Sequence, residues 1–324
     1  MSYSSKVKSE LKIRIDSARH CRIAEIASIL ALNGYICDKD GCIIEAEQDG
    51  SYEPENSYLC LVTENITLAE KFMMLLGKTY DLGDNNIVVK YEGDKNKRYR
   101  LLIKSENLLH EILMAIKWED KKICKKFAEP MILQKECCRK AFIRGAFLAA
   151  GSLSDPNKSY HLEIVLDSED KALQLQKLML GFELDAKIVE RKRNFVVYIK
   201  EGANITDCLN LMGAYVSQME LYNVMILKDM RNDVNRKVNC ETANLNKTIE
   251  AAVKQIKDIE YIRDTVGLDY LKPQLAAVAQ VRLENPDMNL ASLGEMLDPV
   301  VGKSGVNHRL RKISEIAEEL RGQG

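Results

Sequence analysis

The sequence predicts an α+β chain in three parts. The first is a two-fold pseudo-symmetric domain with the order α-β-β-α-β-β-α repeated; a helical linker and an all-α helix-turn-helix module follow. Three observations predict this. Two apolar segments rich in small residues, Ile26 to Gly34 and Ile143 to Gly151, share one pattern at an offset of 117 residues (28 to 145, 34 to 151). No glycine or proline occurs from Glu220 to Val266. The C-terminal stretch has short helical periods punctuated by Asn285-Pro286 and Asp298-Pro299.

Each element follows from its periodicity. In the first repeat the helix at Ile26 to Gly34 leads to strands Cys42 to Glu47 and Tyr58 to Thr63, helix Leu68 to Leu76, strands Ile87 to Tyr91 and Tyr99 to Lys104, and helix Leu108 to Ile116. In the second, the helix ending at Gly151 leads to a strand within Leu153 to Lys158, strand Tyr160 to Leu166, helix Ser168 to Leu180, strands Leu184 to Glu190 and Phe195 to Lys200, and helix Asn204 to Met212. The strands are runs rich in Val, Ile and Tyr, bounded by Gly, Asp and Asn. A repeat of this size points to two halves, each too small to bury its apolar face alone.

From Met219 to Thr265 apolar residues fall at helical spacing: Leu221, Val224 and Met225, then Ile249, Ala252, Val253, Ile256 and Ile259. This reads as one long helix, or two broken near Asn239 to Asn246. Beyond it, Gln274 to Glu284 and Leu290 to Leu297 are helical, and a turn runs from Asp298 to Gly302. Ser304 is a candidate cap for a last helix with the inner stripe Val306, Leu310, Ile313. The expected domains are 1–218 (repeats about 1–118 and 119–218), a linker 219–265, and a helix-turn-helix domain 266–324.

Bulk numbers exclude several classes. Of 324 residues 46% are hydrophobic and 29% charged, ordinary for a soluble globular chain. No apolar run approaches the roughly 20 residues that span a bilayer, and the polar first ten residues lack a secretion signal, so a cytoplasmic place is expected. The nine cysteines include no Cys-x-x-Cys and read as reduced thiols rather than a disulfide framework or zinc ribbon. Four histidines, His20, His110, His161 and His308, show no metal-pair spacing, and no phosphate-binding glycine loop occurs. No cofactor and no metal are therefore expected. Net charge is -1 but unevenly spread: eight acids and one base lie between Asp38 and Glu64, nine bases and four acids between Lys117 and Arg144. One face of such a chain can still bind nucleic acid.

The segment Ile143-Arg144-Gly145-Ala146-Phe147-Leu148-Ala149-Ala150-Gly151 resembles a LAGLIDADG motif helix. The resemblance implies two such helices packed side by side, each ending in a carboxylate that holds catalytic divalent metal. Here those positions are Asn33 and Ala150. Neutral groups cannot hold such ions against water, so no phosphodiester cleavage is expected and the chain is read as no enzyme.

Two other sets of residues suit DNA. One is a pair of basic hairpins at equivalent places in the repeats: Lys90, Lys95, Lys97, Arg98 and Arg100; Lys187, Arg191, Lys192 and Arg193. These are candidate secondary phosphate contacts; solvated hairpin tips are the bland alternative. The other is the last helix, with Lys303, Ser304, Asn307, His308, Arg309, Arg311 and Lys312 and no acid from Lys303 to Lys312. As a recognition helix it would meet base edges with Asn307, His308, Arg309 and Arg311, and phosphate with Lys303, Ser304 and Lys312.

With both halves in view the chain resembles the WhiA family of bacterial sporulation and cell-division regulators. The resemblance rests on Arg139-Lys140-Ala141-Phe142-Ile143-Arg144-Gly145-Ala146-Phe147-Leu148, on Gly151-Ser152-Leu153-Ser154-Asp155-Pro156, and on Ser159-Tyr160-His161-Leu162-Glu163. It also rests on Arg231-Asn232-Asp233-Val234-Asn235-Arg236, Asn239-Cys240-Glu241-Thr242-Ala243-Asn244 and Lys303-Ser304-Gly305-Val306-Asn307-His308-Arg309-Leu310-Arg311-Lys312. It implies a degenerate LAGLIDADG domain, a helical linker and a helix-turn-helix domain that binds double-stranded DNA in cell division, chromosome segregation and sporulation. Two alternatives stay open: an active nuclease or maturase, and a module contacting other regulators or division proteins.

Overall fold

The computed structural model describes residues 2–38, 58–82, 87–92, 98–118, 127 and 129–322. Its contacts divide the chain into two units, Met1–Lys228 and Asp229–Gly324.

The first unit holds both repeats. Helix α1 (Tyr3–Ile13), an element beyond those expected from the sequence, precedes them. The first repeat comprises α2 (Arg19–Asn33), β1 (Gly34–Cys37), β2 (Tyr58–Thr63), α3 (Ile66–Thr79), β3 (Ile87–Glu92), β4 (Arg98–Ile103) and α4 (Glu106–Ala115). The second comprises α5 (Glu136–Ala150), β5 (Gly151–Leu153), β6 (Leu162–Leu166), α6 (Glu169–Leu180), β7 (Lys187–Arg191), β8 (Asn194–Ile199) and α7 (Gly202–Met212). The repeated order is as expected, with one relocation: the first strand of each repeat starts directly at the glycine ending the motif helix. The strand expected at Cys42 to Glu47 lies outside the described residues. Side-chain caps set the starts of α3 and α6: Asn65 accepts from the Thr67 amide and Ser168 from that of Lys171.

Both sheets are antiparallel, with orders β1-β2-β4-β3 and β5-β6-β8-β7. Alternation sends Leu59, Leu61, Leu101 and Ile103 of one sheet, and Leu162, Ile164, Val197 and Ile199 of the other, into a shared core. On the opposite face of the first sheet Cys37, Cys60 and Leu102 form a second buried cluster.

The motif helices meet along a seam of small residues. Cys21, Ala24 and Ser28 on α2 recur at the same spacing as Cys138, Ala141 and Gly145 on α5; the first two of each set cluster together. A Cβ added to Gly145 would lie 2.0 Å from Ser28 Oγ and 2.8 Å from the Glu25 carbonyl oxygen. Glycine inside a helix costs about 1 kcal/mol against alanine; here it permits the backbone contact.

Beside the seam lies a buried ion network. Arg144 donates to Glu25 from Nε (3.0 Å) and a terminal nitrogen (2.8 Å), to half-buried Asp16, and to the carbonyl of Met212 ending α7 (3.3 Å). Lys71 on α3 also pairs with Glu25 (3.1 Å) and donates to the Leu11 and Arg14 carbonyls at the end of α1. Burial pulls the Lys71 ammonium below the usual lysine range, with Glu25 opposing. Burial also disfavours the Arg144 charge, but its two carboxylates outweigh that and raise it above the usual arginine range.

Helix α8 (Tyr215–Thr265) is unbroken through Asn239 to Asn246, so the single-helix alternative is the one realised. Leu221 belongs to the core of the first unit, Ile259 and Ile262 to that of the second. The segment expected as a separate linker thus contributes to both cores. At its start Glu10 of α1 accepts from the Val216 and Ser217 amides (2.8 and 3.0 Å).

Two stability outcomes follow. Gly145→Ala destabilises the first unit by about 1–3 kcal/mol through overpacking, and adding Ser28→Gly recovers part of the loss. A urea series in which the second change gives no rescue contradicts the seam contact. Arg144→Met, which leaves Glu25 buried with Lys71 alone, costs about 3–5 kcal/mol in the same measurement.

Candidate nucleic-acid interface

The second unit packs α9 (Pro273–Glu284), α10 (Leu290–Glu295) and α11 (Lys303–Gly322) against the end of α8. Proline opens α9 at a position where its missing N–H costs nothing. Asn289 caps α10 by accepting from the Ala291 and Ser292 amides (3.0 and 3.1 Å). Val306, Leu310, Ile313 and Ala317 bury one stripe of α11 against Leu275, Val278, Leu293 and Leu297. The turn between α10 and α11 folds back tightly: the Val301 amide donates to the Gly294 carbonyl (3.0 Å), and a Cβ on Gly294 would sit 1.9 Å from the Val301 carbonyl oxygen. Buried Arg282 ties α9 to Gln255 of α8 (3.0 and 3.2 Å) and to the Met288 carbonyl.

This packing presents α11. The helix begins at Lys303, so Ser304 lies in its first turn and is not the expected cap. At about 100° per residue, Ser304, His308 and Arg311 share the outward stripe, and all three are exposed. Lys312 is exposed beside them. Lys303 and Asn307 are exposed and border a groove of about 850 Å³ between α8 and the segment 286–291, which leads into α10. Arg309 is half-buried on the other flank and is the least available of the seven.

The basic hairpins are less free than their sequence suggests. Arg98 pairs with Glu64 (3.4 Å), Lys187 with Asp185 (3.0 Å) and Arg191 with Glu163 (3.2 Å). Glu163 also receives His161 (3.1 Å) and Ser152 (3.1 Å), so His161 is a structural partner there. Lys192, with a positive φ of 59°, and Arg193 form the exposed β7–β8 tip. Arg100 lies half-buried in β4; Lys90 is a residue of β3, and Lys95 and Lys97 lie outside the described residues. The sheet faces away from the helices also differ: Cys37, Cys60 and Leu102 are buried in the first repeat, whereas in the second Ser152, Glu163, Tyr198 and Lys187 stand in line across the strands.

The ends of the motif helices offer no metal site of the nuclease kind. Asn33 donates to the Val62 carbonyl (3.2 Å), while its Oδ1 is shielded without a partner. Ala150 carries no ligand atom. One amide oxygen does not fit a pair of divalent ions.

At the opposite end of the same helices, four groups converge that sequence spacing had set aside. Among the described residues, His20, Cys21, Cys137 and Cys138 form the one group of three or more such residues close enough to hold a metal, with ligand atoms within 4.8 Å of one another. The signal was present in the repeat itself: His20 and Cys21 correspond to Cys137 and Cys138 at the offset of 117 that relates the motif helices.

Fold and exposed helix define a class of protein: a two-repeat LAGLIDADG-type domain followed by a helix-turn-helix domain. Comparison with known proteins agrees. A family described as the WhiA LAGLIDADG-like domain matches residues 139–231, and one described as the WhiA C-terminal HTH domain matches 234–317. A protein of Lachnospira eligens named "Probable cell division protein WhiA" is 55% identical, with 99% of this chain and 98% of the relative covered. One of the same name from Lachnoclostridium phytofermentans is 45% identical, with 99% and 100% covered. The crystal structure of full-length DUF199/WhiA from Thermatoga maritima matches with a TM-score of 0.57 at 25% identity, covering 98% of this chain and 99% of that one. The chain belongs to the WhiA family.

Gly294→Ala displaces the turn that sets α11 and lowers the thermal midpoint of the second unit. Calorimetry checks this; a variant as stable as the parent means that the turn does not depend on this contact.

Proposed function

We propose that this chain is a non-catalytic DNA-binding regulator that acts in cell division and chromosome segregation, and in developmental transcription in spore formers. The observation that carries the reading is the exposed face of α11, where Ser304, His308, Arg311 and Lys312 stand together with no acid between Lys303 and Lys312. Such a helix meets the major groove with its N-terminal half, side chains on base edges and cations on phosphate. The relatives' names supply the link to cell division. Asn33 and Ala150, at the ends of the motif helices, favour a scaffold without cleavage. No helix among the described residues is long and apolar enough to cross a membrane, which accords with a cytoplasmic, nucleoid-associated place. In this reading 266–324 read DNA, 219–265 connect, and 1–218 support, with Lys192 and Arg193 as a secondary phosphate contact.

A second reading, a module that contacts division proteins, draws on an exposed apolar row along α8: Met230, Val234, Val238, Leu245, Ile249 and Val253. Promoter occupancy and division phenotype that separate by mutation favour it.

Retention of labelled promoter DNA tests the main reading. Arg311→Ala weakens binding by about 1–3 kcal/mol if it meets a base, Arg309→Ala weakens it less, and the double variant loses most retention. Lys312→Ala shallows the salt dependence by about one counterion. Unchanged binding by the double variant would sink the recognition-helix assignment, and Mg²⁺-dependent cleavage of duplex DNA that is lost on changing Asn33 would restore the nuclease alternative.

A further inference from the structure

We propose that His20, Cys21, Cys137 and Cys138 form a binding site for a borderline-soft divalent cation, with Zn²⁺ as the best fit, that ties the two repeats together at the start of the motif-helix seam.

His20 Nδ1 lies 3.2 Å from Cys138 Sγ, 3.3 Å from Cys21 Sγ and 4.0 Å from Cys137 Sγ. A tetrahedral zinc with zinc–sulfur distances of about 2.3 Å and zinc–nitrogen of about 2.0 Å places its ligands roughly 3.6 Å apart. The observed spread therefore needs only small side-chain adjustments. Three thiols and one imidazole match a closed structural zinc set, Cys₃His, with no open position for a substrate.

Burial raises the Cys21 and Cys138 thiols above the usual thiol range, so a cation has to displace their protons, and the helix ends favour that step. The ligands sit in the first turns of α2 and α5, and neither helix has a side chain bonded to its free N-terminal amides: the cap positions are Ala18 and Lys135. Two positive helix ends thus face the site. The apolar floor is Ala24 and Ala141, with Ala18 and Ile132 packed beside it.

Small apolar packing accounts for Cys21 and Cys138, which are buried at the seam. It does not account for His20 and Cys137, which are exposed yet turn toward the buried pair. Because the two residues from each helix occupy equivalent positions, the cation would lie close to the pseudo-two-fold axis. Bound there, it would bridge residues more than a hundred positions apart and hold the N-terminal ends of α2 and α5 together, opposite the ends where the nuclease metals of the motif would sit. Binding would release the thiol protons to solvent and involve no redox step.

The full chain, purified reduced without chelator and reconstituted with Zn²⁺, tests this by elemental analysis after removal of excess metal. One zinc per chain is expected. His20→Ala combined with Cys137→Ser changes only exposed groups, leaves the far-ultraviolet dichroism intact, and drops zinc to near none. Cys240→Ser, an exposed thiol elsewhere, keeps it. With Co²⁺ in place of zinc, the parent shows an intense thiolate-to-cobalt band and the visible bands of a tetrahedral site, and the double variant lacks both. A parent chain that retains no zinc and shows no such bands overturns the proposal, as does a double variant that retains zinc as well as the parent.

Discussion

The approach of α2 and α5 at Ser28 and Gly145 is the contact on which the first unit depends. These residues occupy equivalent positions in the repeats and meet each other, as residues near a two-fold axis must. Nothing larger fits there, since even a methyl group on Gly145 collides with Ser28. With the helices this close, the apolar face that each sheet lays against its own motif helix joins one continuous core, and neither repeat has to bury its core alone.

The seam is symmetric in shape but not in charge. Glu25 pairs with Arg144, and neither has its counterpart in the other repeat: the equivalents are Phe142 and Ala27. A buried pair of this kind adds little net stability, yet removing one member leaves the other charge stranded. The network therefore favours pairing of the first repeat with the second over pairing of like with like. Through Met212 and the end of α1, it also fixes the elements that hold the start of α8.

The helix-turn-helix unit was legible because its signals are local. Asn285-Pro286, Asp298-Pro299 and the stripe Val306, Leu310, Ile313 each speak about a few neighbouring residues, and the helices lie within a residue or two of where those signals put them. Which basic residues of α11 are available was not legible: Arg309 and Arg311 look alike in sequence, and only packing leaves one half-buried and the other exposed. The same holds for Arg98 and Arg191, whose partners Glu64 and Glu163 lie 34 and 28 residues away and become neighbours on the folded surface. Helix α1 is not legible because only Val7 and Leu11 form its buried stripe, and its place is set by distant contacts to Ser217 and Lys71.

By itself the sequence determined the repeated element order, the small-residue character of the motif helices, the absence of carboxylates at their ends and the base-rich face of the last helix. Each is a property of residue type at short spacing. Tertiary structure alone decided the ion pair of Glu25 with Arg144, the opposition of Ser28 and Gly145, and the convergence of His20 and Cys21 with Cys137 and Cys138. Those groups lie more than a hundred residues apart along the chain. Periodicity within a helix cannot report them; only the closing of one repeat on the other brings their atoms within reach.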